Sequence, residues 1–193
     1  SGTTGLPKGA MLTHGNLMWN NINAHFAFGQ SRDDVVLTVA PLFHIGGLNV
    51  LTLHTITLGG TLLLIRAFDP GQVLGFIEQH KVALMFGAPA MFNFMAQHPD
   101  FEATSFDSVK TFICGAAPPP ESLLTLYAER GVDFCQGYGL TETAPFATFL
   151  TPEFALSKLG SAGQAPMYTE VRIVDNDNAE VGAEVRGEIC IKG

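Results

Sequence analysis

Two stretches of this chain, TLLLI (61–65) and VALMF (82–86), run apolar without the alternation that a half-exposed strand shows. Strands of a sheet buried on both faces have that character. Between such runs lie segments with helix signals. Thr13 can cap a helix from His14 towards Phe28. Val35 to Ala40 predicts a strand ended by Pro41, and Leu48 to Leu58 an apolar helix stopped by Gly59 and Gly60. Asp69 and Pro70 pair a capping carboxylate with a proline at the first helical position, so a helix is expected from there to about His80. Pro89 opens a short helix towards Gln97. Val109 to Cys114 predicts a strand, Pro120 to Arg130 a helix, and Val132 to Gln136 a further strand.

Strand and helix taking turns implies an α/β fold, a mostly parallel sheet layered between helices. After about Pro152 the texture changes. Val171 to Val174 and Glu188 to Ile191 read as short strands around the Asp- and Asn-bearing turn at 175–178. The expected organisation is an α/β core over residues 1–155 and the beginning of a more β-rich subdomain over 156–193. No internal repeat or low-complexity segment interrupts it.

Composition narrows the classes. The chain has 193 residues and a net charge of −8, and only 15% of its residues are charged, against about 25% for an average domain. Some of this surface is expected to be covered by other parts of a longer protein. The chain begins with Ser, inside a motif, which suggests an excised segment. An acidic chain whose basic clusters never exceed two residues is no nucleic-acid binder. Cys114, Cys135 and Cys190 are odd in number and widely spaced. They form neither a disulfide framework nor a zinc set, and fit a reducing, cytoplasmic setting. No signal peptide is visible, and no apolar run is long enough to span a bilayer.

The candidate chemistry sits in polar stretches. SGTTGLPKG (1–9) crowds Gly2, Gly5 and Gly9 among Ser1, Thr3, Thr4 and Lys8. Glycines let a backbone approach a ligand and offer its N–H groups to an anion, and a lysine adds a compact cation. Lys8 is followed by Gly9 and Ala10, so this is not the Walker pattern. By itself the stretch fits a surface turn with a solvated lysine equally well. PLFHIGG (41–47), GAAP (115–118) and QGYGLTET (136–143) each follow a predicted strand, at the carboxyl edge where α/β sheets gather ligands. In QGYGLTET, Gly137 and Gly139 allow a sharp turn that leaves the Tyr138 ring free to stack on a purine. Thr141 can donate to a phosphate oxygen. Glu142 is a lone hard-oxygen ligand suited to Mg²⁺. A strand-end turn with a core tyrosine is the plainer reading of that motif, and the opening loop weighs against it. His14, His25, His54, His80 and His98, and the Phe/Met stretch 91–95, read as packed or solvated residues without a site.

Taken in order, SGTTGLPKG, PLFHIGG, GAAP, QGYGLTET and the closing GEICIKG resemble the motif series of the adenylate-forming superfamily. That superfamily includes acyl-CoA synthetases, luciferases and the adenylation domains of peptide synthetases. The resemblance covers the whole chain, and in detail it looks like a bacterial fatty-acyl-CoA ligase, to which GSAGQAPMYTEVRIVD (160–175) is also similar. It implies a two-step ligase reaction. A carboxylate attacks the α-phosphate of ATP to give an acyl-adenylate and pyrophosphate, and coenzyme A then takes the acyl group and releases AMP. Under it Thr3, Thr4 and Lys8 match the phosphate loop, with Ser1, Gly2, Gly5 and Gly9 around them. Gly115, Ala116 and Ala117 match the segment along the adenine, and Tyr138, with Gln136, Gly137 and Gly139, the stacking ring and its strand. Thr141 matches a phosphate contact, Glu142 the Mg²⁺ ligand, and His44 the wall of the acyl pocket. The implied partners are a small carboxylic acid, expected to be a fatty acid, together with ATP and coenzyme A.

The same resemblance implies a ribose-binding Asp, a hinge and a lysine-bearing mobile domain beyond Gly193. Three neighbouring readings stay open: an aryl-CoA ligase, a luciferase-like oxidase, and a nucleotide-binding module without chemistry. A peptide-synthetase adenylation domain fits less well. It needs a carboxylate to pair with the substrate ammonium, and no Asp occurs from 41 to 58.

Overall fold

The computed structural model describes Leu6 and residues 8–193. Six strands form one sheet: β1 (Val35–Thr38), β2 (Thr61–Leu64), β3 (Val82–Gly87), β4 (Thr111–Cys114), β5 (Phe134–Gly139) and β6 (Phe146–Leu150), in the spatial order β2-β1-β3-β4-β5-β6. The first five run parallel, and β6 closes the far side antiparallel to β5. A separate antiparallel pair, β7 (Glu170–Val174) and β8 (Glu188–Lys192), follows.

The helices begin and end where their caps dictate. Thr13 Oγ1 accepts the Asn16 N–H at 3.1 Å while Asn16 Oδ1 accepts the Thr13 N–H at 3.0 Å, a reciprocal capping box that starts α1 (His14–Phe28). Gly29 ends it at φ 59°, in the left-handed region. Asp69 Oδ1 accepts the Gln72 N–H at 2.8 Å and Pro70 takes the first position of α4 (Pro70–His80). The remaining helices are α2 (Ile45–Gly47), α3 (Leu53–Leu58), α5 (Pro89–Ala96) and α6 (Glu121–Ala128).

Two apolar layers sandwich the sheet. On one side α4, α5 and α6 bring Val73, Leu74, Ile77, Phe92, Leu124 and Tyr127 against β3, β4 and β5. The rings of Phe92, Phe112, Tyr127 and Phe134 meet there, with Phe92 and Phe134 4.9 Å apart edge to face, and the buried Tyr127 hydroxyl donates to the Phe92 carbonyl at 2.8 Å. On the other side Ala24 and Phe28 of α1, with Val50 and Leu51, pack on Val36, Leu84, Ile113 and β6. Among the described residues no helix is long and apolar enough to cross a membrane.

The structure departs from the sequence reading in several places. TLLLI is an edge strand, paired only with β1, and Leu64 is 54% exposed; an unbroken apolar run does not distinguish a covered centre from an edge. β1 stops at Thr38 rather than Ala40, β4 starts at Thr111 rather than Val109, and α6 ends at Ala128. The helix expected over 48–58 starts three residues earlier. It passes through a π-helical stretch, Leu48–Thr52, closed by the Leu53 N–H on the Leu48 carbonyl. QGYG is strand, not turn, because β5 continues to Gly139 and pairs with β6. β6 itself (FATFL) was not anticipated. Residues beyond Pro152 stay tied to the sheet, with Phe149 and Gln164 exchanging backbone hydrogen bonds at 2.9 and 2.8 Å.

Candidate active site

The carboxyl ends of β1, β3, β4 and β5 open towards one side of the sheet, and the polar segments expected there meet. One cavity of about 270 Å³ is lined by His44, Gly46, Phe86, Gly115, Ala116, Gly137, Gly139, Thr141, Glu142 and Phe146. A second, of about 390 Å³, shares Ala116, Gly137 and Gly139 and adds Ala117, Gln136, Tyr138 and the backbone of 160–162. Ser1, Gly2, Thr3, Thr4 and Gly5 lie outside the described residues. Lys8 and Gly9 are exposed in the irregular lead to α1.

Each wall has a local cause. His44 is the N-cap of α2: its Nδ1 accepts the Gly46 N–H at 3.0 Å, which places the proton of the neutral ring on Nε2. The strap around it is pinned by close backbone contact, since a Cβ on Gly47 would lie 2.2 Å from the Pro41 carbonyl oxygen. Gly137 and Gly139 serve the same end. Neither has positive φ. A Cβ on Gly137 would fall 2.3 Å from the Phe146 ring, and one on Gly139 1.7 Å from the Pro145 carbonyl oxygen. These glycines admit β6 and its turn against β5 rather than bending the chain. Ala116 takes φ 71°, unusual for a residue with a side chain.

The turn after β5 is a tight unit. Thr141–Thr143 form one turn of 3₁₀-helix. The Leu140 N–H donates to Thr143 Oγ1 at 2.8 Å and to the Pro145 carbonyl at 3.0 Å, and the Thr143 hydroxyl donates on to the Pro145 carbonyl. Glu142, exposed on this unit, lines the first cavity and also a neighbouring one bounded by Asn20, Asn23 and Tyr168. Among the described residues its carboxylate has neither an ion pair nor a hydrogen bond. A single exposed carboxylate next to the Thr141 hydroxyl is a donor set that suits Mg²⁺, whose other ligands are usually phosphate oxygens and water. Gln136 is 7% exposed, and its Nε2 is a buried donor with no partner among the described residues. It offers one hydrogen bond to a ligand on the Tyr138 side.

Other expectations change. Phe43 is 94% exposed and lines neither cavity, while Phe149 faces away from both and packs edge to face on Phe28 at 5.3 Å. Of Phe43, Phe146 and Phe149, only Phe146 lines the first cavity. Phe86, Val50 and Pro145 line it too and were missed, since nothing in a strand end or an apolar helix marks one residue as a wall. Gly160, Ser161 and Ala162 were legible only as part of the stretch 160–175 that the resemblance covers, with no site role attached to them. Cys114 and Cys135 are buried thiols, both pushed up to about 12 by burial, with Glu153 adding to the effect at Cys135.

All 193 residues match the AMP-binding enzyme family, and the chain belongs to that family. It is 44% identical over its full length to a feruloyl-CoA synthase of Amycolatopsis sp, of which it covers 39%. It is 36% identical to the long-chain-fatty-acid–CoA ligase FadD13 of Mycobacterium tuberculosis, of which it covers 38%. It thus spans about two fifths of these relatives' length. Among solved structures it is similar to the inhibitor-bound N-terminal domain of FACL13 from Mycobacterium tuberculosis, with a TM-score of 0.92 and 35% identity over all of this chain and 48% of that one. It is also similar to the O-succinylbenzoate coenzyme A synthetase of Bacillus subtilis in complex with ATP and magnesium ion, with a TM-score of 0.90 and 34% identity over all of this chain and 40% of that one.

Proposed function

We propose that this protein is an AMP-forming acid–thiol ligase that activates a carboxylic acid with ATP and passes the acyl group to coenzyme A. The observation that carries this reading is the cavity in which the His44 strap, the Gly115–Ala116 turn and β5 converge on the Glu142 carboxylate, which has no ion pair among the described residues. Tyr138, Ala116 and Ala117 line the neighbouring space, which is proposed for adenine, with Gln136 Nε2 as its donor. Thr141 donates to phosphate, and Ser1, Thr3, Thr4 and Lys8 hold the outer phosphates. Glu142 holds Mg²⁺, which when bound offsets the phosphate charge as the acid attacks. His44 walls the carboxylate end of the acid and orients it without moving a proton.

The acid is proposed to be an aryl or arylalkyl carboxylate. The Phe86 and Phe146 rings bound a space of about 270 Å³, and the relative at 44% identity is named for feruloyl-CoA. The sequence reading favoured a fatty acid, and the 36% identity to FadD13 supports that second reading. A reducing, cytoplasmic setting is proposed on the free thiols Cys114, Cys135 and Cys190.

The test is a panel of cinnamate-type, arylacetic and fatty acids given to the full-length protein with Mg-ATP. Pyrophosphate exchange and thioester formation are read separately. Acid-dependent exchange followed by coenzyme A-dependent thioester is expected, fastest with an aryl acid. Exchange without thioester would contradict the ligase assignment, and light output in place of thioester would favour an oxidase.

A further inference from the structure

The turn that carries Glu142 is gripped by two asparagines far from it in sequence. Asn20 lies on α1 and Asn49 in the π-helical stretch, and they are 4% and 0% exposed. Asn20 Nδ2 donates to the Asn49 carbonyl at 2.9 Å, and its Oδ1 accepts the Phe146 N–H at 3.2 Å. Asn49 Nδ2 donates to the Ala144 carbonyl. Backbone groups two and four residues after Glu142 are thereby tied to the helical layer.

These contacts differ from those inside the turn. Hydrogen bonds among Leu140, Thr143 and Pro145 give the turn its shape. They say nothing of where the turn sits. Its height over the sheet is set by Gly139 against Pro145 at one end and by the two asparagines at the other. Asn49 Oδ1 is buried with no partner among the described residues, so the side-chain amide is only partly satisfied. A leucine of similar size would pack there without that unmet acceptor. The geometry therefore assigns the amide a use in gripping the turn rather than in filling the core.

We propose that Asn20 and Asn49 are positioning residues that fix the 140–146 turn against α1 so that the Glu142 carboxylate meets the metal-bound phosphates. This rests on the reading of Glu142 as the Mg²⁺ ligand. The same helix supplies a matched control. Asn21 is 6% exposed, donates through Nδ2 to Thr57 Oγ1 at 3.1 Å, and has an Oδ1 with no partner among the described residues, so none of its hydrogen bonds goes to the turn.

The experiment uses the full-length protein with Asn20→Leu, Asn49→Leu, Asn21→Leu and Glu142→Gln. It reads the Mg²⁺ concentration for half-maximal pyrophosphate exchange, with melting temperature alongside. The expected result is a rise of about tenfold or more in the Mg²⁺ requirement for the Asn20 and Asn49 variants, about 1.4 kcal/mol of coupling, and less than about twofold for Asn21→Leu at a similar loss of melting temperature. Where Asn49→Leu fails to fold, Asn49→Ser, which keeps a donor too short to reach, is read in its place with the same expectation. A wild-type Mg²⁺ requirement in the Asn20 and Asn49 variants, with Glu142→Gln still shifted, overturns the positioning role alone. An equal shift in Asn21→Leu also overturns it, as general loosening. An unshifted Glu142→Gln overturns the metal reading and this proposal with it.

Discussion

His54 is the residue whose environment contradicts its chemistry most. It is 2% exposed on α3, 5.7 Å ring to ring from His25, and neither ring nitrogen has a partner among the described residues. Burial first, and the His25 charge second, hold it down to about 4. In the unfolded chain an ordinary histidine titrates near 6.5. Between pH 6.5 and 4 the unfolded state therefore binds a proton that the folded state refuses. Stability falls as pH drops through that window and levels off below it, by roughly 3 kcal/mol at most. His54→Phe is expected to flatten the loss of melting temperature between pH 7.5 and 5 by several degrees; parallel curves for variant and wild type would contradict this. Asp34 does not confuse the comparison. Burial pushes its carboxyl up, but hydrogen bonds from Lys110 and the Ser31 N–H, with the Lys110 charge 2.8 Å away, outweigh it and hold the group below 3.8. Its contribution is present above that value and lost only as pH falls through the lower folded one.

At the level of elements, caps were legible and contacts were not. Thr13, Asp69 with Pro70, and Gly59 announce helix ends because their signals are local. The parallel order could be inferred from strands alternating with helices. What escaped was whatever depends on distant partners. FATFL reads as a short apolar tail to TETAP, and it becomes β6 only because the Gln136–Gly139 backbone lies open to pair with it. Gly137 and Gly139 looked like turn glycines; their role is close approach, visible only once Phe146 and Pro145 are in place. Likewise Asn20 and Asn49 carry no motif. Of the candidate site, the strand-end residues were legible as motifs, whereas Phe86 and Val50 were anonymous core letters. Two glycine substitutions separate these roles. Gly139→Ala drives a Cβ into the Pro145 carbonyl and is expected to displace the turn, slowing exchange by about tenfold or more, which is about 1.4 kcal/mol. Gly75→Ala, on the exposed face of α4 with no atom within 4 Å of the new Cβ, should stabilise by about 0.5–1 kcal/mol. Melting curves and exchange rates on both variants decide; a fully active Gly139→Ala would show that the turn does not need that approach.

Over the whole molecule, the sheet acts as a frame that delivers loops from 41–47, 115–118 and 136–146 to one edge while two apolar layers fix the strands. Net charge is −8, so under the proposed function attraction of ATP phosphates would depend on local donors and on a metal, not on the field of this acidic segment. The metal therefore carries the central claim, and Glu142 is its test. Glu142→Gln keeps the shape and removes the charge. In the full-length protein, acid-dependent pyrophosphate exchange is measured across a Mg²⁺ titration for wild type and variant. The account predicts exchange slower by about a hundredfold or more and a raised Mg²⁺ requirement, with ATP binding retained through the Tyr138 side. Wild-type exchange by the variant at limiting Mg²⁺ would contradict it.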